Sequence, residues 1–192
     1  ANHFREPYRG ISPETFRKFG AFTSNSQELN MEGRLIFPIY DINDRVVLFQ
    51  GRYLYSDLDP KYKNYPKDTP LILYPQATNI IEGSIILVEG FYDMLNLHDK
   101  GLTNAVCVFG TAFGNVKKVA KKKANIERLL LYKYQGVNKI YIMFDADEAG
   151  RHSAENLQDY LSSTFTTEII ELDEGRDPGS LQDFEVSKLK GQ

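Results

Sequence analysis

Two stretches decide the fold: Ile85-Ile86-Leu87-Val88-Glu89-Gly90-Phe91-Tyr92-Asp93, and Ile140-Tyr141-Ile142-Met143-Phe144-Asp145-Ala146-Asp147-Glu148-Ala149-Gly150. In each, a short apolar run rich in branched residues ends on a carboxylate, and a helical pattern follows within a few positions. Continuous rather than alternating hydrophobicity marks a strand buried on both faces, as in parallel sheets covered by helices. Ala105–Phe109 repeats the strand signal and Thr167–Leu172 gives a fourth. Helical patterns run through Leu97, over residues 115–134 with Val116, Val119, Ile126 and Leu130 on one face, and near 150–161. The fold class is therefore α/β: a mainly parallel sheet flanked by helices.

Upstream the texture differs. Ser12 is placed to cap a helix, Pro13 suits its first position, and Gly20 can close it. Residues 21–33 are polar and read as a loop. Arg34–Tyr40 and Arg45–Gln50 read as strands joined by Asp41-Ile42-Asn43-Asp44, an antiparallel hairpin. Residues 56–80 contain four prolines and read as irregular. The expected organisation is a smaller mixed α+β subdomain over 1–83, the α/β subdomain over 84–182, and a tail over 183–192.

Composition sets outer bounds. The 192 residues are 42% hydrophobic and 26% charged, the balance of an ordinary soluble globular protein with enough apolar material for a core. No apolar run approaches the roughly 20 residues that span a bilayer, and no secretory signal is present. A single cysteine, Cys107, excludes an internal disulfide and a multi-cysteine zinc site. It lies between Val106 and Val108 and reads as a small buried residue. His98 and His152 fall on polar helical faces, and with His3 they offer no metal-ligand spacing. A reducing, cytoplasmic setting fits, and a start at Ala1 rather than Met suggests a piece of a longer chain. Net charge is -3, but it is polarised: residues 143–192 hold 12 acidic and 4 basic groups, against 14 and 19 before them. Such polarity suits a divalent cation at the acidic end and phosphates at the basic part, or simply a solvated acidic tail.

The acids choose between these. Glu89 ends the first α/β strand, with Asp93 one helical turn on. Asp145 and Asp147 end the third strand, and Asp177 lies just beyond the fourth. In open parallel sheets, sites gather at the carboxyl ends of strands, so acids from three strands are expected at one edge. Like charges held together repel, and a hard divalent cation resolves the conflict with oxygen ligands. Mg²⁺ or Mn²⁺ so held takes further ligands from phosphates, the chemistry of phosphoryl or nucleotidyl transfer. Taken singly, Asp-x-Asp is more often a cap or a turn.

Together, Val88-Glu89-Gly90-Phe91-Tyr92-Asp93, Phe109-Gly110-Thr111, Phe144-Asp145-Ala146-Asp147-Glu148-Ala149-Gly150-Arg151 and Asp177-Pro178 resemble a TOPRIM domain. This is the metal-binding α/β module of DnaG-type primases, topoisomerases and some nucleases. Arg34-Leu35-Ile36-Phe37-Pro38-Ile39, Phe49-Gln50-Gly51-Arg52 and Pro60-Lys61-Tyr62-Lys63-Asn64 are similar to the segment preceding TOPRIM in DnaG-type primases. Tyr8-Arg9-Gly10-Ile11-Ser12 is similar to the entry region of phage primase-helicases. The likeness spans roughly residues 34–182.

The resemblance implies a bacterial or phage primase core that joins ribonucleoside triphosphates on single-stranded DNA, with Mg²⁺ or Mn²⁺ and no zinc in this segment. Glu89, Asp145 and Asp147 would be the principal metal-associated acids, supported by Asp93 and Asp177; Glu89 as general base on the 3′-hydroxyl is the alternative role. Arg34, Arg52, Lys61, Tyr62 and Asn64 would line the nucleotide and template path, with Tyr62 either stacking or packing. Each basic residue taken singly fits an exposed salt bridge about as well. The family also implies a replicative helicase and a zinc-binding domain outside this chain as partners, and no membrane. A TOPRIM nuclease and a non-catalytic nucleic-acid-binding module are the rival readings. A topoisomerase needs tyrosine-bearing and gate domains that this length does not supply.

Two features depart from the family. Where it often has Asp-Pro-Asp, this chain has Asp177-Pro178-Gly179, one acid fewer. The stretch from Gly110 to Asp145 is longer and includes Lys117, Lys118, Lys121, Lys122 and Lys123. Lys117/Lys121 and Lys118/Lys122 are one turn apart, a ridge that suits template phosphates or a solvated helix face equally. Lys123 shares the apolar face with Val119 and Ile126, its stem expected to pack and its head to snorkel.

Overall fold

The computed structural model describes residues 1–69, 73–109 and 119–190, with side chains described outside 119–126. The chain divides into two compact units, Ala1–Leu71 and Ile72–Gln192. The division falls earlier than the expected 83/84 boundary because residues 73–83 are tied to the second unit. Tyr74 exchanges backbone hydrogen bonds with Cys107, at 3.1 and 2.8 Å. The Tyr132 hydroxyl donates to the Pro75 carbonyl at 2.8 Å.

The first unit is an antiparallel sheet in the order β1 (Asn2–His3), β2 (Phe22–Thr23), β3 (Arg34–Tyr40), β4 (Val46–Tyr53), β5 (Tyr62–Tyr65). A short helix, α1 (Pro13–Lys18), starts on Pro13 as expected, although the extended Ser12 makes no side-chain cap bond. The hairpin is present, with Arg34 opposite Tyr53 and an irregularity at Ile39/Tyr40. The Asp41 carboxylate accepts the Asn43 and Arg45 N–H groups and so shapes the turn. Phe16, Leu35, Ile36, Phe37, Ile39 and Leu48 form its interior.

Two strands lie where the sequence reads as irregular. β2 falls inside the expected 21–33 loop, and β5 inside 56–80. β5 carries no apolar alternation; it forms because β4 offers it a complete edge, from Phe49 opposite Tyr65 to Arg52 opposite Tyr62. Pairing across the sheet here overrides local pattern.

The second unit is a four-stranded, wholly parallel sheet in the order β7 (Ala105–Cys107), β6 (Ser84–Val88), β8 (Lys139–Ile142), β9 (Thr166–Ile169). Helices α2 (Phe91–Asp99), α3 (Val119–Tyr134), α4 (Glu148–Leu161) and α5 (Asp183–Lys190) accompany it. Ile85, Leu87, Val106, Leu129, Tyr132, Ile140, Ile142, Leu157 and Leu161 form its core. Burying each such side chain contributes about 1.5–3 kcal/mol. Cys107 is fully buried, and burial pushes its thiol well up. The expected tail is a helix instead, anchored by the fully buried Val186. His98 is also corrected: it is buried, and Nε2 lies 2.8 Å from the Ala105 carbonyl, because α2 is covered on nearly every side.

Gly110, Thr111, Lys117 and Lys118 lie outside the described residues. Lys121, Lys122 and Lys123 belong to α3, with their side chains outside the description. Among the described residues, no helix is long and apolar enough to cross a membrane.

Candidate active site

The parallel register brings two strand ends level. Leu87 stands opposite Ile142, and the Met143 N–H donates to the Leu87 carbonyl, which carries the pairing one residue past β8. Glu89 leaves β6 on the same edge, and its Oε1 accepts the Asp145 N–H at 3.0 Å. That bond joins the two carboxylate-bearing loops directly.

Asp93 is the third helical residue of α2. Its Oδ2 accepts the N-cap Gly90 N–H at 3.1 Å, and its Oδ1 accepts the Gly179 N–H at 2.9 Å. Asp147 caps α4, its Oδ1 accepting the Gly150 N–H at 2.7 Å, and stands exposed at the helix start. The capping roles open to single acids are thus taken by Asp93 and Asp147.

Asp177 arrives by a route with no counterpart in the strand pattern. The Ala146 N–H donates to the Arg176 carbonyl at 2.8 Å, and the Gly175 N–H donates to the Ala146 carbonyl at 2.9 Å. This backbone pairing lays residues 175–176 along the Asp145–Asp147 loop, and the 3-10 turn Pro178–Ser180 follows. Gly150 permits the loop to fold back, since a Cβ there would collide with the Asp145 carbonyl. Gly179 is similar: its Cβ would stand 2.7 Å from Asp93 Oδ1.

The electrostatics follow from burial and mutual repulsion. Burial, then the charges of Asp93, Glu89, Asp177 and Asp147, push Asp145 up to about 7. Burial and the Asp177 charge push Asp93 up to about 7, against the lowering effect of its Gly179 and Gly90 N–H bonds. Glu89 is raised by burial, opposed by its bond from Asp145. All five acids therefore share one neighbourhood. Among the described residues, however, no three of them converge on one point as a closed metal cage.

The residues present fit a divalent cation. Asp145 Oδ1 is buried and has no hydrogen-bond partner, an unmet acceptor beside the carboxylates of Asp93, Glu89, Asp177 and Asp147. Hard oxygen donors with room for water are what Mg²⁺ and Mn²⁺ take.

The basic candidates belong to the first unit and divide into two kinds. Arg34 is buried; it donates to the Gly51, Lys61 and Pro60 carbonyls at 3.2, 3.0 and 2.8 Å and lies 3.8 Å from the Tyr53 ring centroid. Arg52 is buried too, 3.9 Å from Asp57 and 5.8 Å from the Tyr62 ring. Lys61 and Tyr62 are exposed, and Asn64 accepts from the Gln50 amide at 3.2 Å. Sequence reasoning gave no role to Asn96, which is buried on α2 and donates to the Pro178 and Leu181 carbonyls. A lone asparagine in an apolar helix was the signal available. Gly150 is part of the Phe144–Arg151 motif, and the close approach to the Asp145 carbonyl that requires it leaves no mark in the sequence.

Residues 83–171 match the Toprim domain family, and residues 2–72 match the family described as DNA primase catalytic core, N-terminal domain. The DNA primase of Clostridium acetobutylicum is 35% identical over an alignment of 156 positions that covers 76% of this chain and 24% of that protein. The chain thus spans about a quarter of the length of that relative. Among solved structures, the Aquifex aeolicus primase with its zinc-binding and RNA polymerase domains aligns with a TM-score of 0.71 and 27% identity, covering 95% of this chain and 52% of that one. A DnaG primase catalytic domain bound to single-stranded DNA has the same fold, with a TM-score of 0.67 at 23% identity over 95% of this chain and 67% of that one. Two matched families that follow one another along the chain, over a fold shared with primase cores, leave one assignment: the chain belongs to the DnaG-type DNA primase family, with its catalytic-core N-terminal domain followed by a Toprim domain.

Proposed function

We propose that this chain is the catalytic core that synthesises short RNA primers from ribonucleoside triphosphates on single-stranded DNA, by Mg²⁺- or Mn²⁺-dependent nucleotidyl transfer. One observation carries the reading beyond family membership: Asp145 presents a buried, unpartnered oxygen amid Glu89, Asp93, Asp147 and Asp177. Glu89, Asp145 and Asp147 would hold the ion, and Asp93 and Asp177 would support them. The ion would supply neutralisation of triphosphate charge and acidify the attacking 3′-hydroxyl.

The chain's own residues supply the rest. The Asp145 N–H bond to Glu89 orients both loops, and the Asp147 cap fixes the second acid on a rigid helix. Lys61 and Tyr62 are the exposed groups for phosphate and base; Arg52 and Asn64 complete the path, and Arg34 shapes it from within. Lys117, Lys118, Lys121 and Lys122 remain candidates for template phosphates. The partners that fit are the template strand, a replicative helicase and a zinc-binding domain outside this chain, in the cytoplasm of a bacterial or phage-infected cell.

The test is incorporation of labelled ribonucleotides on single-stranded DNA with Mg²⁺ or Mn²⁺, beside an Asp145→Asn, Asp147→Asn variant. Short RNA products that fall by about 10³-fold in the variant support the reading. Template cleavage in place of synthesis would make the protein a TOPRIM nuclease. Template binding with neither reaction would make it a binding module.

A further inference from the structure

Asn96 lies three residues after Asp93 on α2 and is 1% exposed. A buried amide is costly unless its donors are taken, and here both go to one place. Nδ2 donates to the Pro178 carbonyl at 2.8 Å and to the Leu181 carbonyl at 3.0 Å. Asp93 takes the Gly179 N–H between them at 2.9 Å. Helix α2 therefore grips the 178–181 turn through its carbonyls with Asn96 and through its N–H with Asp93. On the other flank, Gly175 and Arg176 are paired with Ala146. Asp177 is the residue between these two anchored segments, and the proline after it narrows the backbone further.

We infer that Asn96 is a positioning residue for Asp177, setting its carboxylate within the acidic centre through the backbone of the 178–181 turn. The inference rests on the reading of that centre as a metal site. It also accounts for Gly179. The turn is drawn so close to α2 that a Cβ would stand 2.7 Å from Asp93 Oδ1 and 3.1 Å from Asp177 Oδ1. A larger residue there would push the turn off its anchors.

The experiment is Mn²⁺ binding to the 192-residue chain, followed by the electron paramagnetic resonance of free Mn²⁺. It compares the unsubstituted chain, Asn96→Ala, Asp177→Asn, the double variant and Asp145→Asn. Supporting groups of metal ligands are worth about 10-fold or more in affinity, so Asn96→Ala and Asp177→Asn should each weaken binding about 10-fold. If Asn96 acts through Asp177, the double variant should bind no worse than Asp177→Asn alone. Asn96→Ser keeps one donor, should lose less, and carries the same cycle if Asn96→Ala does not fold. Unchanged binding in the Asn96 variants, or losses that multiply in the double variant, overturns the inference and leaves the metal site standing. An unsubstituted chain that binds no Mn²⁺, or binds it regardless of Asp145→Asn, overturns the metal site and this inference with it.

Discussion

The two units treat buried charge in opposite ways. In the first, Arg34 is 2% exposed, with three carbonyls and the face of Tyr53 around its guanidinium. In the second, Asp145 is half-buried, one oxygen has no donor, and the charges that act on it most strongly, those of Asp93, Glu89, Asp177 and Asp147, are of its own sign. A buried ion whose partners the fold supplies is architecture. One whose partner the fold withholds is costly, by about 1–3 kcal/mol for an unmet acceptor, and is retained where something from outside completes it. By this criterion the acidic strand ends are where the proposed chemistry finds an unmet group, and Arg34, the most deeply buried arginine, is architecture.

The largest effect expected on this contrast comes from Gly150→Ala. The new methyl would meet the Asp145 carbonyl, a backbone atom with little freedom, and overpacking of this kind costs about 3 kcal/mol. The midpoint of urea unfolding should fall, and Mn²⁺ affinity should fall with it as the Asp145 loop moves off Glu89. A variant with unchanged midpoint and affinity would mean that the acidic loop is not held by its own fold, and the contrast with Arg34 would lose its basis.

What was legible in the sequence divides along physical lines. The parallel sheet was readable because a strand buried on both faces is a continuous apolar run, as Ile85–Val88 is; Ile140–Ile142 gives the same signal although Tyr141 is half-buried. The places of Glu89 and Asp145 at strand ends were readable because each directly follows an apolar run, and Asp147 lies two residues on. β5 was not, because Tyr62-Lys63-Asn64-Tyr65 owes its strand to the edge of β4 and to the Gln50–Asn64 contact. The approach of Asp177 was read only as far as the end of its strand. The Ala146–Gly175 pairing that brings it in is backbone chemistry and leaves no residue signature. His98 reads as a solvent-facing polar position and Asn96 draws no reading, because a short helix buried nearly all round offers no polar face to calibrate against.

The next prediction separates architecture from contact within the first unit. Arg34→Ala leaves the Gly51, Lys61 and Pro60 carbonyls without this donor and removes packing against Tyr53, so stability should fall by about 2 kcal/mol. Lys61→Ala removes an exposed ammonium and should leave stability within about 0.5 kcal/mol, while raising the KM for ribonucleotides in primer synthesis. Urea unfolding and steady-state kinetics on both variants decide the matter. An Arg34→Ala chain as stable as the parent but unable to bind nucleotide would move Arg34 from architecture to the site, and satisfied burial would cease to be a guide to role.

The smallest expected effect is the dependence of metal-free stability on pH, and its sign is diagnostic. Asp93 and Asp145 are pushed up to about 7 from an ordinary value near 3.8, by burial first and neighbouring carboxylates second. Between those values the folded chain holds protons that the unfolded chain has released. Their contribution is therefore fully present below about pH 4 and is lost as pH rises through 7. Because Asp145 is only half-buried and solvent screens part of the effect, the loss between pH 5 and 8 should be on the order of 1 kcal/mol. Asp145→Asn should flatten that slope, since an amide neither titrates nor repels its neighbours. Added Mn²⁺ should restore stability at pH 8 more than at pH 5, because only the deprotonated acids attract it. Thermal unfolding across this range, with and without the ion, reads all three. A metal-free stability that rises from pH 5 to 8 would mean that the acids are already compensated within the fold. Asp145 would then belong with Arg34 as architecture.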